Sequence, residues 1–317
     1  MSAEGPNGMT KLLEIRDVWQ GSSVSISDDS WHRRLHPSNR HDLQREPTIV
    51  IVRRGSYRRR FRHQQVIGTP NHVTFYNPGE PYQVDHIRGP QTKVTAIRLS
   101  FDLLSTLLSS RDPAAADESR FPEHVTHTLC PPQWYRLHKQ LLTHLSTAET
   151  PDELMVEEVL LALLDTIIGQ ACRESADAGD LDPNTSVNLA RVAATQEVLA
   201  DRFGENLTMK DIANAVGCSP WHLSRQFTKH VGLPIHRFLN RLRLRNALEQ
   251  LCDGEFDLGK LAEDSGFCSH SHFSSAFKHE FGITPRAARK ADHASFLQEV
   301  ADQIRKAGPS GDAAYLS

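Results

Sequence analysis

Apolar positions in the first hundred residues come in short runs with a period of about two. Thr48-Ile-Val-Ile-Val52 is β-branched, residues 57–62 alternate, and 73–76, 82–84 and 92–99 are further short runs. Such runs predict strands when turn residues separate them. Here Arg53-Arg-Gly-Ser-Tyr57 and Asn77-Pro-Gly-Glu-Pro81 are the turns, and the frequent reversals predict a small barrel or sandwich. Beyond residue 101 the period lengthens. Trp134, Leu137, Leu141, Leu142 and Leu145 fall on one helical face, and Val159, Leu160, Leu163, Leu164 and Ile167 make a second, wide one behind Pro151-Asp152. These helices, over 133–146 and 153–172, can cover the barrel or meet another subunit. Residues 175–187 are polar and turn-rich and read as a linker. From 188 to 290 the pattern is helical throughout: a helix over 189–203, two helix pairs, and a long helix over 235–252 between them. The segment 291–317 contains Gly308-Pro-Ser-Gly311 and reads as a frayed tail. The division is therefore 1–174, 175–187, 188–290 and 291–317, with an α+β fold class.

The helix pairs repeat. Ala213 and Ala262 lie 49 residues apart, as do Gly217 and Gly266, while Phe227 and Phe277 are 50 apart. The alanines are small where two helices can approach, and the glycines suit a turn at positive φ. Ser219 is a good N-cap with Pro220 at the first helical position. Leu223 and Phe227, like Phe273 and Phe277, are four apart and share a core-facing side. The opposite side carries Trp221, His222, Ser224 and Arg225 in the first copy, and His270, Ser271, His272 and Ser275 in the second. A short helix, a glycine turn and a second helix form a helix-turn-helix, whose second helix enters the DNA major groove.

Charge sharpens this picture only after the chain is divided. The whole chain is −3, but residues 188–290 carry net +3 and residues 111–187 carry −9. A mild positive balance serves nucleic acid if the cations share one face. The five cysteines are scattered without a CxxC pair and read as thiols of a reducing compartment. No run is apolar enough to span a membrane and no export signal opens the chain, which points to the cytoplasm. His270-Ser-His272 is the one tight histidine pair. It reads as groove-facing polar residues in preference to a metal site, so neither metal nor cofactor is expected.

The anchors Asp211-Ile-Ala213, Gly217, Ser219, His222-Leu-Ser-Arg-Gln-Phe227, Gly232, Pro234, Gly266-Phe267, Ser269, His272-Phe-Ser274, Phe277-Lys278, Phe281-Gly282 and Thr284-Pro285 resemble the DNA-binding domain of the AraC/XylS family of bacterial transcriptional regulators. The resemblance covers residues 189–290. It implies seven helices and two recognition helices held about 34 Å apart to enter successive major grooves. Residues 45–100 resemble the family's cupin-like ligand-binding barrel, through the turn around Gly68 and Phe75-Tyr-Asn-Pro-Gly-Glu-Pro81. The family often dimerises through helices after the barrel, a role that would fall here to 133–146 and 153–172. Ser275 stands where the family commonly has arginine, so the second groove would be read through weaker or backbone contacts.

The resemblance implies a transcriptional regulator, an effector-responsive activator by the family's commoner mode. Its partners would be promoter DNA, RNA polymerase if it activates, a small-molecule effector and a second copy of the chain. The expected DNA contacts are Ser219, Pro220, Trp221, His222, Ser224, Arg225, Lys229, Arg241, Arg245, His270, Ser271, His272, Ser275 and Lys278. Arg225 reads as a guanine contact worth about 1–3 kcal/mol, as a phosphate contact, or as a solvated arginine. Trp221 reads equally as a DNA contact or as a wedge against the linker helix. Arg237, Arg241, Arg243 and Arg245 cannot share one face; Arg241 and Arg245, four apart, do. The arginines of residues 53–62 read chiefly as a solvated edge hairpin that discourages strand pairing. The sharper alternative is an anionic effector on Arg59, with His72, Tyr76, Tyr82 and His86 lining the pocket. Rival readings are a regulator without effector, a cupin-type enzyme, which lacks a metal set or nucleophile–base pair here, and a DNA-repair protein, which would want cysteines well before Cys130.

Overall fold

β-Branched and aromatic residues dominate the strands because they fit a pleated, half-buried surface. The computed structural model describes residues 13–32, 43–62, 64–86, 91–176, 184–254 and 257–307. The strands are β1 (Leu13–Gln20), β2 (Val24–His32), β3 (Thr48–Arg54), β4 (Tyr57–Phe61), β5 (Gln64–Gly68), β6 (His72–Tyr76), β7 (Gln83–His86), β8 (Gln91–Leu99) and β9 (His127–Leu129). They pair antiparallel in two sheets, a six-stranded one of order β1-β2-β8-β3-β6-β9 and a three-stranded one of order β5-β4-β7. The sheets face each other across Val50, Val52, Tyr57, Phe61, Tyr76 and Val84. Tyr57 Oη stands 2.6 Å from Thr74 Oγ1 and joins them.

β4 shows the expected alternation: Tyr57, Arg59 and Phe61 point inward, Arg58 and Arg60 outward. The edge-hairpin reading of this segment is wrong, because β4 is the central strand of its sheet. Its outward arginines are paired, Arg58 Nε with Glu197 at 2.7 Å and Arg60 with Asp85 at 2.8 Å.

The other face of the large sheet carries Ile49, Ile51, Val73, Phe75, Ile97 and Leu99 into a helical layer. That layer contains α1 (Phe101–Leu108), α2 (Pro113–Asp117), α3 (Pro132–Thr147) and α4 (Glu153–Ala176). Asp152 accepts from Met155 N at 3.1 Å and starts α4 as expected. Then come α5 (Asn184–Asp201), α6 (Met209–Ala215), α7 (Pro220–Val231), α8 (Ile235–Asp253), α9 (Leu258–Asp264), α10 (His270–Phe281) and α11 (Pro285–Arg289). Among the described residues this region holds seven helices, the number the resemblance implies.

Two boundaries shift. The linker is shorter than residues 175–187, since α4 runs to Ala176 and α5 starts at Asn184; 177–183 lie outside the described residues. Nor is 291–317 a frayed tail up to residue 307. It forms α12 (His293–Ala307), which buries Leu297, Val300 and Ala301 against α3 and α4. These positions, with Phe296 and Ile304, make an apolar stripe of helical period that the glycines at 308 and 311 overshadow in the sequence.

The apolar interior is divided unequally. Val192, Leu199, Ile212, Leu223, Phe227 and Phe238 form a separate core for the first helix pair, α6 and α7. Phe273, Phe277 and Phe281 of α10 join the same cluster as Trp134, Leu163 and Leu297. The second helix pair is therefore built into the helical layer of the N-terminal half.

Candidate nucleic-acid interface

Ser219 begins α7 with an extended backbone and accepts from His222 N at 3.3 Å. Ser269 does the same for α10, accepting from His272 N at 3.2 Å. The preceding turns need Gly217 and Gly266, at φ +65° and +77°, where a Cβ would be strained. Upstream, a Thr208–Asp211 capping box starts α6, and Asp257 caps α9 by accepting from Lys260 N. Each recognition helix ends on a left-handed glycine, Gly232 or Gly282, both at φ +75°. Leu223, Phe227, Phe273 and Phe277 are at most 1% exposed. Ala213 and Ala262 are buried where the paired helices meet.

Burial of those faces turns the opposite ones outward. On α7, Trp221, Ser224, Arg225 and Lys229 are exposed, with Ser219 and Pro220 at its start. Trp221 is 70% exposed, which removes the wedge reading, and Arg225 lies over its ring at 5.6 Å from the centroid. His222 is half-buried, its Nε2 3.3 Å from Asn188 Oδ1 on α5. Sequence reasoning did not single out Asn188. On α10, His270, Ser271, His272, Ser275 and Lys278 are all exposed. His272 rests its ring edge-on to Phe267 at 5.4 Å.

The α8 arginines behave differently from expectation. Arg245 is fully buried, donates to the backbone carbonyls of Pro70 and Cys130, and stacks over Tyr135 at 4.7 Å. It is an anchor to the N-terminal half, not a DNA contact in this arrangement. Arg241 shares its face and pairs with Glu280 of α10 at 3.1 Å. Arg243 donates to Phe203 O at 2.7 Å and to Glu205 O at 2.8 Å, in the loop before α6, and lies 6.0 Å from the Phe267 ring centroid beyond α9. A helix buried between two cores turns its arginines toward carbonyls and carboxylates because water is excluded there.

Beside Arg245 lies a buried ionic cluster. Lys139 Nζ is 3.0 Å from both Glu249 Oε2 and Asp253 Oδ1. Tyr135 Oη donates to Glu249 at 3.0 Å, and Arg53 approaches Glu249 at 3.6 Å while also pairing with Asp28. Burial alone would lower the Lys139 pKa, but Glu249 and Asp253 outweigh it and raise the value. Burial would raise that of Glu249, yet Lys139 and Arg53 hold it below the usual range. The sequence signal for this pair was a lone charge inside an apolar helical stripe, Lys139 between Leu137 and Leu141, and Glu249 between Leu248 and Leu251.

The proposed effector residues are separated. Arg59, Tyr76 and Tyr82 meet inside the barrel, with Arg59 4.0 Å from the Tyr76 centroid and the two tyrosine rings 4.9 Å apart. His72 is instead buried against the C-terminal region, its Nε2 3.4 Å from Gln196 Nε2 on α5 and its ring 5.6 Å from Phe238. His86 lies on β7. Among the described residues no group of three His, Cys, Asp or Glu is placed to hold a metal ion, and no helix is long and apolar enough to cross a membrane. The outer ridge of α4 keeps Leu154 and Leu161 exposed, whereas α3 is covered by α4, α10 and α12. The expectation that 133–146 serves as a subunit contact therefore fails for this arrangement.

A family model of a helix-turn-helix domain matches residues 212–291. The chain is similar to the HTH-type transcriptional activator RhaS of Escherichia fergusonii, 27% identical over 302 residues, covering 90% of this chain and 99% of that protein. RhaS of Enterobacter sp. is 28% identical over 292 residues, again covering 90% and 99%. Among solved structures, an AraC-type DNA-binding-domain regulator from Chromobacterium violaceum is 28% identical, covering 33% of this chain and 94% of that one, with a TM-score of 0.32.

Proposed function

Through its C-terminal region the chain belongs to the AraC/XylS family of transcriptional regulators, and from that premise we propose that it binds promoter DNA with α7 and α10 in successive major grooves. One observation carries this reading. Two capped helices expose polar faces of like position, while their apolar faces are fixed in separate cores and joined by α8. On α7, Arg225 and Trp221 would provide base or sugar contact, with Lys229 on phosphate. On α10, serines and histidines offer shorter donors, so this groove contributes more positioning than discrimination.

The regulator responds to a small molecule held in the barrel and acts where promoter DNA lies, in the cytoplasm. Ligand binding shifts the balance between docked and released DNA-binding regions. Arg245 and the Lys139–Glu249 cluster are the contacts that would differ between the two. As an activator it would contact RNA polymerase. Two copies would meet along the α4 ridge of Leu154 and Leu161; sedimentation that shows only single chains at micromolar protein rejects that pairing.

Genome-wide footprinting at fixed salt, beside Arg225→Ala, tests the DNA reading. Two protected half-sites about one helical turn apart are expected, weakened about 5- to 150-fold by the substitution. Absence of sequence-selective protection by the wild type rejects it.

A further inference from the structure

The barrel interior holds a charge for which no described residue supplies a counter-charge. Arg59 is 2% exposed. Its guanidinium lies 4.0 Å from the ring centroids of both Phe61 and Tyr76, so aromatic faces cover its two sides. In its own plane it makes one hydrogen bond, Nη1 to Phe75 O at 2.6 Å, and its Nε has no partner. Its neighbours on and just after β4 differ. Arg58 pairs with Glu197, Arg60 with Asp85 and Arg62 with Glu80. Among the described residues no carboxylate pairs with the inward-facing Arg59.

Tyr57 and His127 are titratable groups that feel the charge of Arg59, and Tyr76 covers its face. Burial pushes the Tyr57 phenol well above its ordinary range. The protein around His127, and then the positive charge of Arg59, hold its imidazole down to about 4, although its outer edge reaches solvent. Neither Tyr57 nor His127 is negative at neutral pH. An arginine enclosed in this way is costly unless an anion completes its shell.

His127 is the solvent-facing member of this group. It sits on β9, the edge strand of the large sheet, opposite Thr74 of β6. His72 stands beside it, ring centroids 5.7 Å apart, and abuts Gln196 of α5. The exposed His127 and the buried His72 thus lie together where the barrel touches the first helix of the DNA-binding region.

We propose that the barrel takes a small organic monocarboxylate, its carboxylate on the free edge of Arg59 and its apolar body among Phe61, Tyr76 and Tyr82. A planar carboxylate matches the two-pronged guanidinium edge. Phosphate, with more oxygens to satisfy, finds too few donors between aromatic walls. Calling this ligand the effector rests on the regulator reading above; the anion site itself rests on Arg59. Filling the barrel beside His72 would bear on Gln196 and hence on the placement of α5.

The test uses the full chain labelled with 15N-arginine, following the Arg59 Nε–H signal, which is assigned by its loss in Arg59→Lys. Acetate, butyrate and hexanoate are titrated as sodium salts, beside hexanamide and inorganic phosphate. The carboxylates should give a saturable shift that tightens about fourfold per added methylene. Hexanamide should give none, and the Arg59→Lys chain should bind hexanoate at least about tenfold more weakly. If Arg59→Lys does not fold, the contrast between hexanoate and hexanamide on the unaltered chain decides, because one charge separates them. No saturable shift, an equal response to the amide, or a response to phosphate alone overturns the proposal. Footprinting on the same preparation separates the two readings. DNA protection without a carboxylate response removes the anion site and leaves the regulator standing; a carboxylate response without protection does the reverse.

Discussion

Replacing Arg245 by methionine discriminates the interior role of this residue from the DNA-binding role its place on α8 suggests. The substitution keeps the length of the stem against Tyr135 but removes donation to Pro70 O and Cys130 O. Each hydrogen bond from a charged donor contributes about 1.5–3 kcal/mol, so the gross loss is about 3–6 kcal/mol. Release from burying a guanidinium, whose Nε already lacks a partner, offsets part of it. A net loss of about 2–4 kcal/mol remains. For a chain of this size that corresponds to a melting temperature lowered by about 3–6 °C. Calorimetry should show it together with faster tryptic cleavage between the N-terminal half and α8. DNA affinity measured at fixed salt should not fall below about half that of wild type, in contrast to Arg225→Ala, because weakening the docking contact favours the released DNA-binding region. If Arg245→Met melts like the wild type and loses DNA binding as Arg225→Ala does, Arg245 leaves the interior to meet DNA and the argument fails.

Two further outcomes follow from burial. Leu297 is 0% exposed in the cluster that joins α12 to α3 and α4, so Leu297→Ala should cost about 2–5 kcal/mol in denaturant unfolding; a loss below about 0.5 kcal/mol would mean that α12 is not docked. His138 is enclosed with neither ring nitrogen hydrogen-bonded, and burial, then Arg53 and Lys139, lower its pKa to about 3. Unfolding restores a value of about 6.5. Between these values the unfolded chain binds a proton that the folded chain does not, so stability falls as pH drops from about 6.5 toward 3. His138→Phe should flatten this acid loss in urea midpoints compared at pH 7 and pH 4.5, and identical slopes would sink the assignment.

The double helix-turn-helix was legible because its determinants are local. Ser219, Gly217, Gly232 and their counterparts set caps and turns within a few residues, and the phenylalanines mark the buried face. Alternation grouped Arg59 with Tyr57 and Phe61 on one face of the strand, but only the less favoured effector reading turned that face inward, where the structure has it. Which strands pair is a non-local matter, and it was there that β4 was misread as an edge. Arg245 was misplaced for a related reason. Helical spacing puts it beside Arg241, but what covers that face comes from Pro70 and Cys130, more than a hundred residues away in sequence. The α12 stripe was overlooked because nearby glycines suggested disorder, whereas its docking depends on a groove between α3 and α4 that no local pattern announces.

The unequal division of the interior bears on how such a chain can change over evolutionary time. The first helix pair closes its core with residues from α5 through the start of α8, so it can drift or be exchanged among relatives with few compensating changes elsewhere. The second cannot. Phe273, Phe277 and Phe281 lie in one apolar cluster with Trp134, Leu163 and Leu297. A substitution in any of these must be accommodated by both the sensing half and the reading half. New operator preferences should therefore arise more readily through α7, while α10 and the helices beneath it change together or hardly at all.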